Sequence, residues 1–275
     1  MKKTDLLVIG GSAGGILSAT TARKAYGDID ITLIRDTPKV MVPCGIPYIY
    51  GTLHSTDRNV IPDTGLEEAN VNLYVDKVLN IDRENRQVST ENGEVFEYKK
   101  LVIATGSLPL IPAFIPGHDL ENVFAVLKNK DYLNTILEKL EAVQNVVVIG
   151  GGFIGVEFAE QMHMLGKKVT LVEMADACLW QAFDKNFSQD IEGRMKEAGI
   201  DVRTSTKVSR ILGDKTVSGV EFEGGETVPA EMVILGLGVK PNAELAKKAG
   251  LELNSRGAIV VDQYTRTNDP DIFAV

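Results

Sequence analysis

The sequence predicts an α/β chain of two doubly wound, parallel-sheet domains. Three observations carry this. First, a short apolar run, a glycine-rich turn and a helix-forming stretch occur twice, as Val8-Ile9-Gly10-Gly11-Ser12-Ala13-Gly14-Gly15 and as Val148-Ile149-Gly150-Gly151-Gly152-Phe153-Ile154-Gly155, offset by 140 residues. Second, each copy is followed by an apolar stretch ending in Gly-x-x-Pro, at Ala104-Thr105-Gly106-Ser107-Leu108-Pro109 and at Gly236-Leu237-Gly238-Val239-Lys240-Pro241. Third, strand-like and helix-like stretches alternate in both halves.

Residues 5–9 and 144–149 are apolar runs ending at a glycine turn, as strands buried on both faces require. Residues 16–26 and 156–165 have helical composition. Residues 29–34 and 168–172 read as the second strand of each half. Residues 131–142 form an amphipathic helix with Leu133, Ile136, Leu137 and Leu140 on one face. Pro109, Pro112 and Pro116 mark a linker ahead of it.

The chain has 275 residues, room for one large domain or two ordinary ones. Its net charge of −9 gives no basic footprint for nucleic acid or anionic lipid, so neither partner is expected. No apolar run approaches the roughly 18 residues needed to span a bilayer. Lys2 and Lys3 precede an apolar stretch, but Asp5 and the Gly10-Gly11 pair make it a buried strand rather than a signal peptide. With only Cys44 and Cys178, no disulfide framework is expected, and a reducing cytoplasm suits this usage. No Cys/His cluster has metal-ligand spacing, so no metal is expected, and His54, His118 and His163 read as structural or solvent-facing.

The second glycine turn satisfies the full dinucleotide fingerprint, G-x-G-x-x-G between strand and helix with an acid about 20 residues on. Gly150 allows the tight turn, Gly152 lets the backbone approach a pyrophosphate, and Gly155 lets helix and strand pack closely. The pyrophosphate then meets the free N–H groups of the helix start, including the Phe153 and Ile154 turn. Glu173 ends the second strand, where it can accept both ribose hydroxyls. Met174, Ala175 and Asp176 follow it and none is basic, which favours NADH over NADPH.

The first turn is less regular, reading Gly10-x-Ser12-x-x-Gly15. Arg35 stands where an acid is expected and Asp36 comes next. Either Asp36 reaches a ribose, or Arg35 stacks on or pairs with another part of the nucleotide. Gly10-x-Ser12-x-Gly14 also matches the nucleophile elbow of α/β-hydrolases. The serine is missing from the copy at Gly150, and no histidine is placed to act as its base, so the elbow reading is set aside.

Val42-Pro43-Cys44-Gly45-Ile46-Pro47-Tyr48 is the other informative segment. A cysteine just before a helix start would have its thiolate stabilised by the helix N-terminus. A buried apolar cysteine is the alternative, and composition alone favours it.

Taken together, the two glycine turns with Glu157, the Cys44-Gly45-Ile46-Pro47-Tyr48 segment, the run Leu101-Val102-Ile103-Ala104-Thr105-Gly106 and the stretch from Gly257 to Ala274 resemble the FAD-dependent pyridine nucleotide–disulfide oxidoreductases. The match is to the single-cysteine branch of coenzyme A-disulfide reductase, NADH oxidase and NADH peroxidase. It covers essentially the whole chain and favours a reactive Cys44 over a buried one. It implies two Rossmann-like domains with the NAD domain inserted into the FAD domain: residues 1–114 holding FAD, 115–243 holding NAD(P)H, and 244–275 returning to the FAD domain. Gly10, Ser12, Ala13, Gly15, Arg35, Asp36, Pro43, Thr105 and Gly106 are the expected FAD-side residues. Gly150, Gly152, Phe153, Ile154, Gly155, Glu157, Glu173 and Gly238 are expected on the nicotinamide-nucleotide side, with Glu157 near the nicotinamide.

The resemblance further implies hydride transfer from NADH to FAD and electron passage to Cys44. Position 49 is Ile49, not a second cysteine, so Cys44 would cycle through a mixed disulfide, a persulfide or a sulfenic acid. Oxidase and peroxidase relatives carry a histidine where Ala13 stands, whereas coenzyme A-disulfide reductases carry a small residue. The expected substrate is therefore a small disulfide, a persulfide or a coenzyme A thiol compound. NADH oxidation forming water or peroxide is the alternative, and an inactive nucleotide-binding or redox-sensing module is a third. Arg23 and Lys24 stand where such reductases place cations for coenzyme A phosphates, or are an ordinary solvated face. Arg35 departs from the usual glutamate. Relatives continue past the position of Val275 into a Gly-Asp and a dimerisation domain, so the chain is expected to be a fragment of a cytoplasmic homodimeric enzyme.

Overall fold

The computed structural model describes all 275 residues. They form two compact units. One comprises Met1–Pro43, Val60–Leu108 and Lys240–Val275, and the other comprises Cys44–Asn59 and Pro109–Val239. This division places the Cys44–Asn59 stretch with the second unit, whereas the sequence boundaries kept it in the first.

The first unit is built on a seven-stranded sheet. Lys2–Ile9 lies at its centre, between Ile31–Arg35 and Val95–Ile103, and runs parallel to both. Asn72–Val75 extends the sheet beyond Ile31–Arg35, and Ile272–Ala274 pairs in parallel with Val95–Ile103. Val78–Asp82 and Gln87–Thr90 complete it as an antiparallel extension.

Alternation along each strand divides the apolar residues between two cores. Val8, Leu33 and Val102 pack on one face with Ala19 of the helix Ala13–Tyr26. Leu7, Ile9, Ile34, Leu101 and Ile103 pack on the other with Phe96, Ile272 and Ala246. Every residue of Ile31–Arg35 is buried, Thr32 and Arg35 included, so this strand has no solvent-facing side.

The second unit carries a five-stranded, all-parallel sheet in the order Asp201–Arg203, Lys168–Val172, Asn145–Ile149, Met232–Leu235, Val123–Ala125. Val148 pairs with Leu171 on one side and Ile234 on the other, so the centre is wholly aliphatic. A three-stranded antiparallel sheet of Val208–Gly213, Val217–Phe222 and Thr227–Pro229 covers one face through Ile211, Val220 and Phe222. The expected amphipathic helix spans Lys130–Leu140. Leu133, Ile136 and Leu140 are buried, and Asn129 caps it by accepting from the Tyr132 N–H at 2.9 Å.

Both glycine-turn helices start three residues earlier than sequence reading places them, at Ala13 and Phe153. Helical hydrogen bonding already begins within the turn, with Ile16 N–H donating to Ser12 O and Val156 N–H to Gly152 O. No helix is long and apolar enough to cross a membrane.

Candidate nucleotide sites and cysteine turn

In the second unit, the strands Asn145–Ile149, Lys168–Val172 and Met232–Leu235 end at a common edge. A cavity of about 840 Å³ opens there, lined by Gly150, Gly152, Phe153 and Ile154 from the loop and helix start. Glu173 and Gly238 line it from the ends of the neighbouring strands. This is the crevice beyond the carboxyl ends of a parallel sheet, where open α/β folds take ligands.

Two glycines of the loop are sterically obligatory. Gly150 has φ +109°, and a Cβ there would stand 2.6 Å from Gly236 O. A Cβ on Gly155 would stand 1.7 Å from Gly150 O, so the helix could not approach the strand. Gly152 differs: a Cβ there meets nothing within 4 Å, because the residue faces the open cavity. A backbone turned into empty space beside the first N–H groups of a helix suits a pyrophosphate.

The Glu173 carboxylate is held in place by the same loop. One oxygen accepts from the Gly151 N–H at 2.6 Å and the other from the Ala175 N–H at 2.7 Å. Each oxygen keeps further lone-pair capacity toward the cavity. Glu157 lies one turn along the helix from Phe153 and does not line this cavity. Its carboxyl is shifted above the usual glutamate range, first by burial and second by the nearby Glu160.

Cys178 packs beneath the loop. Its Sγ lies 2.9 Å from where a Gly151 Cβ would stand, and its own N–H donates to Glu192 at 2.7 Å. Burial, followed by the charges of Glu192 and Glu173, pushes its thiol up to about 12. It is a packing residue.

The first unit repeats the loop geometry. Gly10 has φ +113°, and a Gly15 Cβ would stand 1.9 Å from Gly10 O. Ser12 occupies the N-cap position but its side chain makes no capping bond, and Ala13 opens the helix. Thr105 and Gly106 are clasped by the returning chain. Thr105 Oγ1 donates to Asn242 O at 2.6 Å, Asn242 Nδ2 donates back to Thr105 O at 3.2 Å, and Asn242 N–H donates to Gly106 O at 2.9 Å.

Arg35 is almost fully buried, at 4% exposure. Its terminal nitrogens donate to both Asp63 carboxylate oxygens at 2.6 and 2.8 Å and to Pro38 O at 2.7 Å. Its stem lies against Gly11, and its Nε has no partner. Asp36 next to it is exposed. Sequence reasoning missed Asp63, because a partner 28 residues away leaves no local trace. Arg23, read as either a phosphate cation or a solvated residue, is instead a strap. Its three donating nitrogens reach Ala69 O, Gly27 O and Asn70 O at 2.7 to 2.9 Å. Lys24 is exposed.

Cys44 is exposed, in a single 3-10 turn spanning Pro43–Gly45. The expected helix start directly after it is not there. A five-residue π-helical turn, Ile49–Leu53, follows instead. Pro47 lacks an N–H, so no regular helical ladder can run through the segment. The turn is anchored by buried Ile49 and Tyr50, the latter with its ring 5.5 Å from that of Phe158. Gly51 is needed because a Cβ there would stand 2.5 Å from Gln161 O. No group of three or more metal-ligating side chains is assembled.

Two strand–glycine loop–helix sites, one of them with an acid on the second strand, together with an exposed cysteine turn, define an oxidoreductase architecture of the two-nucleotide type. The chain belongs to the pyridine nucleotide-disulphide oxidoreductase family, whose pattern matches residues 4–275. A curated relative, the NAD(P)H coenzyme A polysulfide/persulfide reductase of Pyrococcus horikoshii, is 33% identical over 279 residues, covering 99% of this chain and 62% of its own length. An NADH oxidase of Enterococcus faecalis is 30% identical, with 98% and 62% covered. The solved structure of an NAD-dependent persulfide reductase from A. fulgidus superposes with a TM-score of 0.90 at 34% identity, over 98% of this chain and 52% of that one. The chain thus spans under two thirds of the length of these relatives.

Proposed function

We propose that the chain is the nucleotide-binding portion of an FAD- and NADH-dependent reductase of small disulfides or persulfides, with Cys44 as its only redox-active thiol. The observation that carries this reading is the contrast between the two cysteines: Cys44 is exposed in a turn of its own, while Cys178 is buried beneath a glycine loop. The first unit would hold FAD through the Gly10–Gly15 loop and Thr105-Gly106. The second would hold NADH through Gly150, Gly152 and the Glu173 carboxylate. Bound FAD would supply the two-electron link between nicotinamide and thiol.

The chain's own residues do the rest. The loops present free helix N–H groups to the pyrophosphates. Glu173, already fixed by two backbone N–H groups, accepts ribose hydroxyls and opposes a 2′-phosphate. The Cys44 thiolate attacks one sulfur of the substrate, forming a mixed disulfide or persulfide as the other sulfur leaves as a thiol. Coenzyme A compounds are the favoured substrates, since relatives named for them are 33% identical to this chain over the aligned residues. A homodimeric, cytoplasmic protein completes the reading.

The test is acceptor-dependent NADH consumption with coenzyme A disulfide and a persulfide, against oxygen alone. Turnover that needs the sulfur acceptor and disappears in Cys44→Ser supports the reading. Equal turnover with oxygen alone favours an NADH oxidase.

A further inference from the structure

Sequence reading finds no cation after Glu173 for a 2′-phosphate to meet, yet the fold brings one to the same cavity. Lys207 lines the cavity beside Glu173 and Met174. Its position is fixed by the backbone: Thr206 N–H donates to Glu173 O at 2.9 Å, and Ser205 N–H to Ala175 O at 2.7 Å. The ends of the two strands are therefore laced together, with Lys207 one residue beyond the lacing. Its ammonium pairs with the Glu223 carboxylate, and Glu223 N–H donates to Lys207 O at 2.8 Å.

The side chains of this pair are 53% and 59% exposed. An ion pair in that setting is weakly held and readily exchanges partners. A dianionic phosphate is a stronger partner for an ammonium than one carboxylate. The cavity is thus lined by one carboxylate and one cation that would act on a 2′-phosphate in opposite senses, Glu173 opposing it and Lys207 attracting it, while Glu223 neutralises Lys207 from outside the lining.

We infer that Lys207 and Glu223 set the discrimination between NADH and NADPH, with Lys207 leaving Glu223 for the 2′-phosphate when NADPH binds. This rests on the second unit being the nicotinamide-nucleotide site. It means that the preference for NADH is graded, and that Glu223, outside the fingerprint, maintains it as much as Glu173 does.

The test is calorimetric binding of ADP-ribose and 2′-phospho-ADP-ribose, which needs no turnover. Lys207→Gln should weaken 2′-phospho-ADP-ribose by about tenfold, the loss of one partly exposed charged contact, and leave ADP-ribose within about twofold. Glu223→Gln should tighten 2′-phospho-ADP-ribose by a comparable factor and make its binding more salt-dependent, again sparing ADP-ribose. Unchanged 2′-phospho-ADP-ribose affinity in both variants, with ADP-ribose still binding, overturns the roles of Lys207 and Glu223 alone. Failure of the unaltered protein to bind either ligand overturns the nucleotide assignment of the cavity as well.

Discussion

Glu173 holds Gly151: a carboxylate oxygen of the strand-end acid accepts the loop N–H at 2.6 Å, while its other oxygen takes the Ala175 N–H. The acid therefore shapes the glycine loop before any ligand arrives, and its own rotamer is fixed by the loop in return. On the function proposed above, a carboxylate preset in this way would accept ribose hydroxyls without the entropic cost of ordering itself.

Replacing Glu173 with alanine removes both anchors and, on the function proposed above, the ribose acceptor with them. Because each charge-assisted bond is worth roughly 1.5–3 kcal/mol, NADH affinity should fall by at least about tenfold. NADPH should lose less, since a repulsive charge goes with the acceptor. Equilibrium binding of both nucleotides checks this, and equal losses would show that Glu173 only braces the loop.

The glycines separate folding from binding. Gly155→Ala forces a Cβ to within 1.7 Å of Gly150 O, so helix and strand must part, at a cost of roughly 1–3 kcal/mol or more. Gly152→Ala meets no atom within 4 Å and should leave the melting temperature almost unchanged while weakening dinucleotide binding. Thermal denaturation paired with titration distinguishes the two variants.

Much of this was legible in the sequence, and for a physical reason. Strand, loop and helix are contiguous, so the constraints on Gly10, Gly15, Gly150 and Gly155 act within a few residues, and the strand Lys168–Val172 falls where its apolar run places it. What stayed hidden depends on partners far along the chain. Arg35 finds Asp63, Thr105 finds Asn242, and Lys207 reaches the Glu173 cavity from the segment that follows the neighbouring strand Asp201–Arg203. The π-helical turn after Cys44 was missed because Gly51 and Tyr50 follow the demands of Gln161 and Phe158, more than a hundred residues on.

The pair between buried Arg35 and half-buried Asp63 should be a pH-dependent stabiliser. Arg35 chiefly, by hydrogen bonding to it, holds the Asp63 carboxyl below the usual aspartate range. A depressed folded pKa means that the contribution is complete above the unfolded value of about 3.9 and is lost as pH falls through the folded one. Asp63→Asn leaves a guanidinium buried without its counter-charge and should cost roughly 3 kcal/mol at neutral pH. Chemical denaturation from pH 3 to 7 should show the gap between the two proteins closing towards the acid end. A constant gap would mean that the pair contributes packing alone.

The two thiols should differ in reactivity as they do in burial. At about pH 8 iodoacetamide should label Cys44 in the folded protein and spare Cys178, whose thiol is raised to about 12. Cys178→Ser should retain sulfur-acceptor turnover, while Cys44→Ser should lose it by orders of magnitude. Peptide mass spectrometry locates the label, and prominent modification of Cys178 in native protein would contradict the packing described for it.

The strand Ile272–Ala274 pairs with Leu101–Ile103 across an interval of about 170 residues, and Asn242 must travel nearly as far to clasp Thr105. On the ribosome, the first unit therefore waits for its last strand until all of Pro109–Val239 has been made, a delay on the order of ten seconds at ordinary elongation rates. Through that interval the Leu101–Ile103 edge is unpaired and aliphatic, open to chaperones or to a stray strand.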